Sequence, residues 1–246
     1  MIYTTFAKVY DQLMDSDLYD QWLTYVEQRV PKKTGRLLEL ACGSGTLAVK
    51  LAQAGFEVTG FDLSEEMLTL ADEKARAAEI ELPLIQGDAL DLKLDTKFDY
   101  VTCFDDSICY LPDLSAITQV FKNVSQVLKP AGTFMFDAHS LYQMDEVFPG
   151  YMYNAKFEDM AFMWQSYAGE FPHSVEHDLT FFIYDESIDG YQALEELHRE
   201  RTYPVASYKE ALQAAGFTDI EVTSEFGTQS VLETSTRYFF KCKNQS

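Results

Sequence analysis

The sequence predicts a doubly wound α/β domain carrying an inserted antiparallel β-subdomain after its fifth strand. Three observations carry this expectation. Short apolar runs alternate with helical patterns from residue 36 to 138. Aromatic-rich runs of period two replace them after Asp137, and the helix-then-strand style returns near residue 204. Strands alternating with helices make βαβ units, which assemble a parallel sheet through right-handed crossovers.

The apolar runs are 37–41, 58–62, 82–87, 100–104 and 133–137. Between them, Leu47, Leu51 and Ala54, then Met67, Leu70, Ala71, Ala75 and Ala78, then Leu114, Ile117, Val120, Val124 and Val127 recur at three-to-four-residue spacing, the period of a helix with one buried face. Ser64 before Glu65 and Glu66 is a suitable N-cap for the second helix. Gly55 stops the first, and Lys129-Pro130 stops the third. Within the next stretch, 162–167 and 179–184 alternate as half-buried antiparallel strands do. Ser207-x-x-Glu210 reads as a capping box opening a helix that ends at Gly216, with strands near 220–223 and 236–242. The expected organisation is an α/β domain from 1–140 and 204–246, its first 30 residues a helical cover, and a β-rich lid or substrate subdomain from 141–203.

At 246 residues the chain is long enough for one sizeable core. Nineteen Lys and Arg stand against forty Asp and Glu, a net charge of −21. Nucleic acids and anionic membranes are bound through basic patches, so neither is an expected partner. No run approaches the ~18 apolar residues of a membrane span, and the first residues lack the basic-then-apolar order of a secretory signal. The four cysteines lack metal or dense-disulfide spacing and are expected to be reduced thiols of a cytoplasmic protein. Residues 142–198 hold one basic residue, Lys156, against twelve acids, a net −11. These acids either attract a cationic or amine-bearing small molecule or form a solvated outer face.

Residues 37–48 read as a strand, a small-residue turn around Gly43 and Gly45, and a helix. Such a turn admits unusual backbone angles and brings a ligand close to the main chain and to the N–H groups of a helix start. Asp62 follows Gly43 by nineteen residues at the end of the second strand, where a carboxylate can accept both hydroxyls of a ribose. Gly43-x-Gly45-x-x-Ala48 by itself also fits the dinucleotide pattern of NAD enzymes.

Further along, Glu39 lies inside the first strand, Gly87-Asp88-Ala89 ends the third, Phe104-Asp105-Asp106-Ser107 follows the fourth, and Leu128-Lys129-Pro130-Ala131-Gly132 precedes the fifth. In this order the segments resemble the class I S-adenosylmethionine (SAM)-dependent methyltransferases over nearly the whole chain, with Ala41 and Ala131 standing where glycines are usual. Phe6-Ala7-Lys8-Val9-Tyr10-Asp11, Ser107 to Leu111, and Tyr203 to Tyr208 are similar to bacterial small-molecule methyltransferases, including sugar N,N-dimethyltransferases. Phe136 to Ser140 resembles a group of YqeM-like proteins of Gram-positive bacteria. The resemblance implies a Rossmann-like seven-stranded sheet with its last strand antiparallel, SAM as cofactor and a small-molecule acceptor.

It also implies roles. Ala41, Cys42, Gly43 and Gly45 would form the turn under the methionine part of SAM, with Glu39 ordering it. Asp62 would hold the ribose. Leu63 and Met67 would pack on the adenine, and Asp88 and Ala89 would meet its amino edge. Phe104 would offer a carbonyl to the SAM ammonium, beside Ser107, and Tyr3 and Tyr10 would cover the cofactor. His139, after the fifth strand, is the candidate general base, since a histidine exchanges protons near neutral pH. His173 and His177 read as surface residues, and no metal is expected. A non-catalytic SAM-binding or sensing protein and an NAD(P)-linked oxidoreductase are the alternatives. The sequence leaves the acceptor atom and the oligomeric state open.

Overall fold

The computed structural model describes residues 16–245. Five helices of the α type are used below: α1 (Ser16–Arg29), α2 (Thr46–Gln53), α3 (Glu65–Ala77), α4 (Leu114–Val127) and α5 (Val205–Ala214). The strands are β1 (Arg36–Leu40), β2 (Glu57–Asp62), β3 (Leu84–Gln86), β4 (Phe98–Cys103), β5 (Leu128–His139), β6 (Met152–Lys156), β7 (Met160–Ala168), β8 (Ser174–Asp185), β9 (Gly190–Arg201), β10 (Phe217–Thr223) and β11 (Arg237–Asn244). Seven of them make one sheet in the order β10-β11-β5-β4-β1-β2-β3. β1 to β5 pair in parallel, whereas β11 runs antiparallel to both β5 and β10. The last strand is therefore antiparallel, as expected.

Period-two alternation on β5 and β11 builds a core on each face of this sheet. Phe134, Phe136 and Phe240 point to one side with Val120, Phe121 and Tyr208. Met135 and Phe239 point to the other with Trp22, Tyr25 and Leu51. Phe136 and Phe240, directly paired across the strands, stack with centroids 4.5 Å apart.

The chain leaves β1 toward β2 and β3 on one side and returns to β4 on the other. Two connections that diverge from neighbouring strands open a crevice at their carboxyl ends, which is where open α/β sheets bind ligands. The glycine turn, Asp62 and the segment after β4 all lie at that edge.

β6 to β9 form a separate four-stranded antiparallel sheet between β5 and α5 in the chain. Its inner face packs Met160, Phe162, Leu179 and Phe181 into a small core. The same face carries His177 opposite His198, and Glu200 opposite Val175. His177 is thus 3% exposed, which corrects its expected surface position: the alternation of β8 turns it inward with Val175 and Leu179. His173 lies in the preceding turn and pairs with Asp145 at 2.7 Å.

The expected capping box is also corrected. α5 begins at Val205, with Pro204 as its N-cap residue in an extended conformation and no side-chain cap. Ser207 lies inside the first turn and donates its N–H to the Pro204 carbonyl. All four cysteines are buried free thiols. Among the described residues no helix is long and apolar enough to cross a membrane.

Candidate active site

The turn after β1 is wound by left-handed residues: Ala41, Gly43 and Gly45 have φ of 57°, 53° and 77°. Left-handed backbone costs an alanine roughly 1–2 kcal/mol, which explains why glycine is usual at position 41. The turn is closed by Gly45 N–H donating to the Cys42 carbonyl and Cys42 N–H donating to the Phe61 carbonyl. Gly45 does not line the cavity described next. A Cβ there would sit 2.6 Å from the Ala71 Cβ, so this glycine lets α2 start against α3. A Cβ on Gly43, by contrast, would meet nothing within 4 Å, because that residue faces open space.

Asp62 ties the end of β2 to this turn. One carboxylate oxygen accepts from Gly43 N–H at 2.7 Å and the other from Ser64 N–H at 2.9 Å. Ser64 in turn caps α3 by accepting from Met67 N–H at 3.1 Å, as its place before two acids suggests. Lys74, one face of α3 further on, donates to the hydroxyls of Ser44 and Thr46. Burial raises the Asp62 carboxyl above the ordinary range, although the N–H groups of Ser64 and Gly43 pull it down. Burial, reinforced by Asp62, pushes the Glu39 carboxyl well above its ordinary value. Among the described residues Glu39 Oε2 is buried without a hydrogen-bond partner.

These residues wall a cavity of about 360 Å³. Glu39, Ala41, Cys42, Gly43, Asp62, Leu63, Met67, Asp88, Ala89, Phe104 and Ser107 all line it. The fold thus brings together eleven of the positions singled out from the sequence. Tyr3 and Tyr10 lie outside the described residues. Asp88 also caps the short turn Ala89–Asp91 by accepting from Leu90 N–H at 2.8 Å.

The far wall is formed by the segment after β4. Asp105 and Asp106 both have positive φ, and the Ser107 hydroxyl donates to the Phe104 carbonyl at 2.8 Å. Buried polar bonds hold these strained residues in place. Asp106 N–H donates to Asp137 Oδ1 at 2.8 Å, and Trp22 Nε1–H donates to Asp137 Oδ2 at 2.8 Å. Arg237 spans the two acids, 2.6 Å from Asp106 and 3.1 Å from Asp137. His139 stands behind Asp106, with Nε2 3.1 Å from Asp106 Oδ1. It is buried and is not among the residues that line this cavity.

Tyr110 and His198 do face it. The Tyr110 hydroxyl is 3.3 Å from His198 Nδ1, and His198 Nε2 is 3.0 Å from Glu196 Oε2. Trp22, Tyr110, His198 and Arg237 are among the site residues to which the sequence reading gave no role. Period two over 194–200 offered one usable signal, since it places Glu196, His198 and Glu200 on one strand face. Nothing local marks Trp22 or Arg237, whose carboxylate partners are a hundred or more residues away.

Comparison with known proteins returns one family and one architecture. Residues 37–132 match the profile of the family described as a methyltransferase domain. The Bacillus subtilis (strain 168) protein described as putative methyltransferase YqeM is 42% identical over 243 residues, spanning 99% of this chain and 97% of that protein. A SAM-dependent methyltransferase structure from Clostridium acetobutylicum ATCC 824 superposes with TM-score 0.86 at 27% identity, covering 99% of both chains. A sugar N-methyltransferase from Streptoalloteichus sp. ATCC 53650 shares the fold, with TM-score 0.78 at 20% identity over 100% of this chain and 94% of that one.

Proposed function

Since the chain belongs to the class I SAM-dependent methyltransferases, in the group of YqeM-like proteins, we propose that it methylates an amine nitrogen of a small-molecule acceptor. One observation carries this reading. A single cavity joins the glycine turn and Asp62 at one end to Asp106, Tyr110 and His198 at the other.

The residues present suit the cofactor. Gly43 opens the turn where a side chain would fill the space, and Glu39 presents a buried oxygen that lacks a partner among the described residues. Asp62 would accept the ribose hydroxyls, Asp88 the adenine amino group, and Leu63 and Met67 would flank the ring. The Phe104 carbonyl would meet the ammonium. SAM supplies a methyl group already activated on a sulfonium, so the protein has to align, desolvate and manage one proton.

An amine attacks only when neutral. Asp105 and Asp106 draw a cationic amine toward the far wall. Tyr110, hydrogen-bonded to His198 and through it to Glu196, offers a path for the proton that the nitrogen gives up. The sheet β6 to β9 serves as the acceptor-side wall, since His198 comes from it. His139 acts through Asp106 and not on the acceptor. The sugar N-methyltransferase of the same fold supports nitrogen as the receiving atom.

Incubation with methyl-labelled SAM and a panel of amino sugars, aliphatic amines and amino acids tests the reading. Label is expected in the amine fraction, with S-adenosylhomocysteine formed in equal amount. SAM binding with no turnover on any acceptor or on a metabolite extract favours the sensing alternative. Label recovered only on oxygen or carbon overturns the amine assignment.

A further inference from the structure

Beneath the junction of the two sheets, three side chains from distant parts of the chain converge. Asp106 follows β4, His139 ends β5, and Glu200 lies on β9. One oxygen or nitrogen atom of each lies within 4.8 Å of the other two, and all three residues are buried. His139 Nε2 is 3.1 Å from Asp106 Oδ1 and 3.6 Å from Glu200 Oε2. A tetrahedral ion with bonds of about 2.1 Å sets its ligands about 3.4 Å apart, so these atoms need move little to enclose one.

Two more facts point at the space between them. Among the described residues Glu200 Oε2 is buried without a hydrogen-bond partner, whereas buried polar atoms are nearly always satisfied. The charges are also unbalanced. Asp106, Asp137 and Glu200 bring three carboxylates, and Arg237 pairs with the first two. Glu200 is left without the guanidinium that the other two share, and a buried carboxylate is retained where it is paired or bound to metal. Arg237 holds Asp106 by Oδ1, the oxygen that also faces His139, while His177 Nε2 lies 3.4 Å from the other oxygen of Glu200. Outer partners of this kind orient ligating carboxylates.

We propose that Asp106, His139 and Glu200 bind one divalent cation of the Zn²⁺ or Mn²⁺ class, through one imidazole and two carboxylates. Three protein ligands leave a coordination position open. The ion would stand between the cofactor cavity, which Asp106 lines, and a neighbouring cavity of about 340 Å³ lined by Glu200, Tyr110 and Arg201. The site does not depend on the acceptor's being an amine.

The test uses the full chain, freed of metal with a chelator and titrated calorimetrically with MnCl₂ and with ZnCl₂. One ion per chain is expected for at least one of the two metals. Glu200→Gln and His139→Asn should each weaken its uptake at least tenfold. His173→Asn, which alters only the outlying pair with Asp145, should leave it unchanged. A SAM titration of the same samples reports whether each variant is folded and keeps this result separate from the methyl-transfer reading. Failure of the wild-type chain to take up either ion at unit stoichiometry overturns the proposal, as does unaltered uptake by a folded Glu200→Gln. Should that variant not fold, Co²⁺ added to the wild-type chain decides: visible bands of four-coordinate Co²⁺ support the site, and a spectrum of hydrated Co²⁺ overturns it.

Discussion

Arg237→Met is expected to lower the free energy of unfolding by about 3–5 kcal/mol, the cost of stranding a buried charge by removing its partner. Asp137 is fully buried and accepts from Trp22 Nε1–H and from the main chain of Asp106, so it cannot turn toward water. Asp106, 2.6 Å from the same guanidinium, loses its cation as well. Against a total of about 5–15 kcal/mol for an ordinary domain, that loss is a fifth or more. Urea unfolding followed by circular dichroism measures it, and a change under about 1 kcal/mol would contradict the proposed weight of the pair. Arg237→Met combined with Asp137→Asn should recover part of the loss, since the stranded charge is then gone. Both variants should also bind SAM less tightly, because this network pins the positive-φ residues Asp105 and Asp106 beside Phe104 and Ser107.

Asp62→Ala should weaken SAM binding by about 1–3 kcal/mol from the lost ribose contacts alone, roughly 5- to 150-fold. The loss should fall toward the upper end, because Gly43 and Ser64 lose the acceptor that sets the turn. The wild-type affinity should also depend on pH with a definite sign. Burial raises the Asp62 carboxyl above its ordinary value, and the ionised form is the one that accepts two hydroxyls. Affinity is therefore full above that raised value and declines as the pH falls through it, earlier than for an ordinary aspartate. Calorimetric titration at a series of pH values checks both points. Unchanged affinity in the variant would remove Asp62 from the ribose site.

What could be read in the sequence was what is local in the chain. The turn at 41–45, Asp62, Asp88 and Phe104 sit in short segments whose residue types follow from backbone need, and the fold brings those four places to one cavity. The second sheet was legible from the period-two runs in β7 and β8. Contacts across the fold were not. Arg237 meets Asp106 over 131 positions and Trp22 meets Asp137 over 115, and no spacing rule reaches so far. His139 was placed on the correct sheet edge, but the direction of its ring was set by Asp106 and Glu200, which arrive from other elements. The inward place of His177 follows from the face of β8 that it shares with Val175 and Leu179, which the acidic composition of 142–198 does not reveal. The helix after Pro204 starts at Val205, which leaves Ser207 inside its first turn and not at its cap.

The structure of the protein crystallised with S-adenosylhomocysteine tests the central claim most directly. The ribose hydroxyls should lie within about 3.2 Å of the Asp62 carboxylate, with the sulfur turned toward the segment from Phe104 to Ser107 and toward Tyr110. A nucleoside seated in the cavity beside Glu200 and Arg201, or one leaving Asp62 with no contact to the ligand, would contradict it.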